Sequence, residues 1–165
     1  MFSAVIWPQS NGGRMKLEMP LENQVCTLEQ ARKFDELGLK LESYFVWWRQ
    51  VVAPNVKDEQ WKIVTRQRWK TKFWTETILP AFSSAEVGML LPGYIPVEDS
   101  SPAYLTIQKI YGGSGRDSFS FEYIQADGGD CMAIGKTMEH EAHAKPDLLL
   151  HLFKEKIINP ADLSW

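Results

Sequence analysis

The sequence predicts an α+β fold: an antiparallel sheet of about five strands with two or three helices packed on one face, ending strand-strand-strand-helix. Three observations carry this. Residues 104–111 (YLTIQKIY) and 118–124 (SFSFEYI) alternate apolar and polar side chains, and Gly112, Gly113 and Gly115 supply a hairpin turn between them. A third short apolar run, 131–134 (CMAI), leads into a segment that ends in the helical pattern Leu148 to Phe153. Upstream, Thr27 followed three residues later by Gln30 is a capping box opening a helix. A small sheet with one apolar face is not stable alone, so the helices are expected to lie across it and close a core.

The elements follow in order. Leu28, Ala31, Phe34 and Leu37 keep helical spacing and Gly38 is a natural stop, giving a helix over 28–37. Residues 43–52 (SYFVWWRQVV) are aromatic and β-branched, which suits a strand, and Pro54 ends it. Residues 60–77 alternate for longer than one strand normally runs, so a bend or hairpin is expected near 66–68, with Pro80 beyond. Ser83 or Ser84 caps a short helix over 84–90, stopped by Pro92 and Gly93. Residues 94–102, with two prolines, read as a loop. The last helix spans 140–157, although Pro146 lacks an amide donor and is expected to kink or break it.

At 165 residues the chain is long enough to bury a core without disulfides or metals. Residues 15–165 read as a single domain, and 1–14 as a peripheral extension, since a loop-like QSNGGR precedes an equally good start at Met15. A net charge of −3 does not by itself argue for a polyanion or a membrane as partner. The opening residues lack a basic leader and no run of eighteen apolar residues occurs, so a cytoplasmic, non-membrane protein is expected. Cys26 and Cys131 fit neither a disulfide framework nor a metal knuckle and read as reduced, buried thiols.

Three constellations are candidates for chemistry. His140, His143 and Asp147 lie at helical spacing, as a divalent-metal site requires, and would make the chain a metal-dependent hydrolase. The competing reading is a solvated helix face that holds no ligand. Between 57 and 72, six basic residues stand against Asp58 and Glu59. Lys62, Arg66, Arg68, Lys70 and Lys72 fall on one side of a strand about 6–7 Å apart, comparable with phosphate spacing, and Trp69 and Trp74 could stack on bases. The bland alternative is a charged outer face that keeps a sheet edge from pairing. The Gly112–Arg116 stretch is not a phosphate loop, because it lacks the Gly-Lys-Ser/Thr ending and a strand follows. No nucleophile–base arrangement and no cofactor motif is present in the sequence. Trp47 and Trp48 are adjacent, so one of them is expected to be exposed as an interface anchor.

Several phrases together, 23–31 (NQVCTLEQA), Glu36 to Gly38, Ser43 to Phe45, 60–64 (QWKIV), 81–92 (AFSSAEVGMLLP) and 141–145 (EAHAK), carry a resemblance. In order and spacing the stretch from Met15 onward resembles a family of small uncharacterised proteins of phages and prophage-like regions of Bacteroidota. The resemblance implies a mobile-element context and a bacterial cytoplasm. It brings no activity and no site residues. The ending topology is also shared by double-stranded-RNA-binding and antitoxin-like modules, but no lysine cluster opens the last helix here. The expected function is therefore a non-enzymatic, phage- or mobile-element-associated binding protein whose partner is nucleic acid, through the basic strand, or a host protein. The hydrolase and a purely structural, oligomer-forming role stand as alternatives.

Overall fold

A computed structural model of the chain describes residues 19–39, 41–50, 60–66, 78–98, 100–111, 117–128 and 131–163. Among them the order is helix α1 (Leu28–Glu36), strands β1 (Phe45–Gln50), β2 (Gln60–Thr65) and β3 (Ile78–Pro80), helix α2 (Ser84–Leu90), strands β4 (Tyr94–Ile95), β5 (Ala103–Tyr111), β6 (Asp117–Gln125) and β7 (Cys131–Ile134), and helix α3 (Glu141–Lys154). The class is α+β, as expected. The single sheet of about five strands is replaced by two antiparallel sheets, one ordered β2-β1-β3 and one ordered β4-β5-β6-β7. Two strands are added. Strand β3 pairs with β1 and contains Pro80, although that residue was expected to end a strand. Strand β4 lies where a loop was expected, and Tyr94 and Ile95 pair with Tyr104 and Ala103. Pairing of strands distant in the chain is decided by tertiary packing, which local alternation does not encode.

Both short helices begin as their sequences dictate. Thr27 accepts from the Gln30 amide while the Gln30 side chain accepts from the Thr27 amide, and Ser83 and Glu86 repeat the arrangement for α2. Gly38 takes a left-handed φ of 73°, which ends α1 at little steric cost. Glu86 reaches further: Oε1 accepts from the Tyr44 amide at 2.8 Å and Oε2 from the Ser43 hydroxyl at 3.2 Å, so the start of α2 is fastened to the entry of β1. Helix α3 runs through Pro146 without a break, against expectation. Pro146 is fully buried, and its packing against the core offsets the one helical bond that its ring removes.

One core joins the two sheets. Phe34 of α1 stands edge-on to Phe82 at 5.6 Å and to Phe153 of α3 at 6.4 Å, all three nearly or fully buried. Trp47 and Leu79 enter from the first sheet, and Ala103, Phe121, Tyr123 and Ala133 from the second, under Leu148, Leu149 and Leu152 of α3. Gly135 lets α3 approach: a Cβ there would lie 3.0 Å from the Leu148 Cβ. Tyr123 is fully buried, and its hydroxyl donates to the Pro92 carbonyl at 2.5 Å. Burial pushes the titration of this phenol up.

Candidate functional site

The antiparallel register sorts side chains by face, because directly opposed residues share one. In the second sheet Leu105, Phe121, Tyr123 and Ala133 point to α3. The other face is built from Tyr94, Tyr104, Thr106, Gln108, Ile110, Ser118, Ser120, Glu122, Ile124, Cys131 and Ile134. Its large side chains stay open to solvent, with Tyr94 55%, Tyr104 49%, Ile110 44% and Ile134 56% exposed. Tyr94 and Tyr104 sit side by side, ring centroids 6.3 Å apart. The one ionisable acid on this face, Glu122, is buried among its neighbours and accepts from the Gln108 amide. The Cys131 thiol lies 3.7 Å from the other Glu122 oxygen, and partial burial, with this carboxylate adding to it, raises the thiol above its ordinary range. The face is thus aromatic and aliphatic, hydrogen-bonding at its centre, and free of exposed formal charge among the described residues.

The sequence contained the signal for this face. Ile107 and Ile110 are three apart in one strand, so both faces of β5 carry large apolar groups, which a strand with one solvated face does not need. Reading the strand as simply alternating hid it.

The first sheet separates the two tryptophans. Trp47 opposes Ile63 and Leu79, is 9% exposed, and donates its indole N–H to the Cys26 carbonyl at 3.0 Å. It is a core residue and offers no surface to a partner. Trp48, half-buried, lies on the face away from Trp47, directly opposite exposed Lys62. Arg66 is engaged by Glu42, 2.6 Å from its guanidinium, and donates its amide to the Tyr44 carbonyl. Arg68, Trp69, Lys70, Lys72 and Trp74 lie outside the described residues, as does the glycine turn at 112–116. Of the predicted basic stripe, then, Lys62 is exposed, Arg66 is paired, and a tryptophan that had been assigned separately stands beside them.

The histidines are engaged individually. His140 is the residue before α3, not part of it, and its ring stands perpendicular to that of His143 with centroids 5.2 Å apart. His143 Nε2 lies 2.9 Å from the Glu22 carbonyl, which can only accept, so this nitrogen carries the proton and presents no lone pair. Asp147 accepts from the Lys136 amide at 2.8 Å and lines a cleft with His151, Lys33 and Lys154, whereas His140 lines a different cleft beside Met19, Ser84, Phe119 and Glu139. Among the described residues no group of three or more His, Cys, Asp or Glu side chains is placed to hold a metal ion. The structure does not gather the expected metal set at one point: His143 turns to the Glu22 carbonyl, Asp147 accepts from the Lys136 amide, and His140 lines a different cleft.

Cys26 is fully buried, and burial pushes its thiol up to about 12, which keeps it protonated and a poor nucleophile. Cys131 is exposed, against the expectation that both cysteines are buried, because it lies on the open face of an edge strand. Nearby, Lys145 spans the helix–sheet junction. Its ammonium pairs with Glu141 at 2.6 Å, donates to the Ser84 carbonyl at 3.3 Å and sits 5.5 Å over the Phe121 ring. The Lys145 hydrogen bond, with a second from Ser84, holds the Glu141 carboxyl below its ordinary range.

No described helix is long and apolar enough to cross a membrane. No family model, no curated protein and no solved structure matches the chain.

Proposed function

We propose that the protein works by binding rather than by catalysis, and that its working surface is the open face of the β4-β5-β6-β7 sheet, with a protein as its partner. The observation that carries this reading is the character of that face. Tyr94, Tyr104, Ile110 and Ile134 are about half exposed, no exposed charge interrupts them among the described residues, and Gln108 satisfies the Glu122 carboxylate. Aromatic enrichment with depletion of charge is the composition of interface centres, and a contiguous apolar patch on a folded chain marks a contact surface. The resemblance of the stretch from Met15 onward to phage-associated proteins supports placing this contact in the accessory machinery of a mobile element in the bacterial cytoplasm.

The test is retention of proteins from a bacterial lysate by the tagged chain and by a Tyr104→Lys/Ile134→Lys variant, read by mass spectrometry. Species held by the native chain and lost from the variant support the reading. Identical profiles exclude it.

A second reading, nucleic acid along β2, is favoured by the cross-strand pair Trp48 and Lys62, a base-stacking ring beside a phosphate-reaching ammonium. It extends to Arg68, Lys70, Lys72, Trp69 and Trp74 through the sequence pattern. Tryptophan fluorescence titrated with single- and double-stranded DNA and RNA checks it. Binding should weaken with salt, and Lys62→Ala should lower the salt slope by about one phosphate contact. Absence of binding at low salt removes it.

A further inference from the structure

We infer that the protein occupying the open face of the second sheet is a second copy of this chain, the two faces packing together as a two-fold sandwich. The inference rests on the proposed working surface and names its partner.

Charge decides between a copy and a different protein. A two-fold contact brings each group near its own equivalents, so any exposed charge near the axis would meet its like. This face has none among the described residues, although the whole chain carries −3. A different partner is normally selected by complementary charge, and this face offers no charge to complement. Glu122, the exception, is buried and already accepts from Gln108, so covering it adds no unpaired group.

Shape agrees. Strands β5 and β6 are nine residues long, and at about 3.3 Å per residue and about 4.8 Å between strands they make a strip about 30 Å by 10 Å, widened by β4 and β7. The footprint is about 400 Å², below the roughly 800 Å² of accessible surface that a standard interface buries per partner. That area fits a weak, reversible dimer. Two such sheets stack about 10 Å apart when Ile and Tyr side chains from facing strands interdigitate, and Ser118, Ser120 and Thr106 leave room between them.

Sedimentation velocity of the full chain over a micromolar-to-millimolar series tests this. The native chain should pass from monomer to dimer as concentration rises, while Tyr104→Lys/Ile134→Lys should stay monomeric with an unchanged far-UV spectrum. Met89→Lys, at an exposed position on α2, should dimerise as the native chain does. Because Cys131 lies on the face and Cys26 is buried, maleimide labelling of Cys131 in the native chain is a second readout that needs no variant. Its rate should fall severalfold across the same series. A native chain that stays monomeric, a dimer indifferent to the face substitutions, or a labelling rate independent of concentration overturns the inference. A monomer whose lysate partners still depend on the face leaves the working surface standing; a monomer with no face-dependent partner loses both.

Discussion

Thr27 and Ser83 each accept a hydrogen bond from the amide three residues on, and each stands where the following turn has no helical partner for that amide. Replacing either with Ala should cost about 1 kcal/mol, measured as a lower thermal midpoint with unchanged secondary structure. The two thiols should separate cleanly: in the native chain Cys131 alkylates and Cys26 does not, and both react in denaturant, which mass spectrometry will count. Glu141 gives the pH dependence its sign. Lys145 holds its carboxyl below the ordinary value, so the folded state binds that proton less readily than the unfolded one. The resulting stability is present above the ordinary carboxylate value and is lost as pH falls through the depressed one. Acid unfolding of Glu141→Gln should therefore be less steep than that of the native chain. At this scale much was legible, because a capping box is complete within four residues. Burial of a cysteine is not: Cys26 and Cys131 are chemically alike, and only the strand's place at a sheet edge makes one of them accessible.

Helices were readable to within a residue or two at α1 and α2, while strands were readable only as strands. Alternation over 104–111 and 118–124 located β5 and β6, yet nothing within those residues states which sheet they join. Pro146 shows the limit in the other direction. Its local preference predicts a kink, but a proline in the second turn removes only one donor, and full burial against the core retains the helix. The contact between α3 and β7 is where an element-scale substitution should tell most. At Gly135 a Cβ would meet the Leu148 side chain at 3.0 Å and its backbone at 3.3 Å, with no flexible end to yield. Gly135→Ala should cost about 1–3 kcal/mol by displacing α3, measured by chemical denaturation. The candidate site followed the same division. Lys62 was correctly placed on an outward face by alternation, whereas its neighbour Trp48 arrived through pairing with a strand twelve or more residues away.

Across the whole molecule the two sheets share one apolar interior, with Phe34, Phe82 and Phe153 meeting between them. Removing a ring at that junction cannot be confined to one sheet. Phe34→Ala should cost about 3–5 kcal/mol, and the transition should be the same whether followed by tryptophan fluorescence or by far-UV dichroism. That unity was not legible in a chain whose strands looked like members of one sheet, because which strands pair is decided between segments, not within one. One small region adds a tie of its own to it. The turn at Leu21–Asn23 is hooked to α3 through the Glu22 carbonyl and the His143 ring, and the missing amide of Pro146 leaves the Ala142 carbonyl without its helical donor. The first turn of α3 is therefore short of one bond to the rest of its helix, while His143 joins it to Glu22, 121 positions earlier, and the His143 carbonyl accepts from the Gln30 side chain at 2.8 Å. In amide-exchange terms these two turns form one opening unit. The amides of Asn23 and Ala144 should exchange together, faster than those of Leu149 and Leu152, and His143→Phe should accelerate the first pair while leaving the second unchanged.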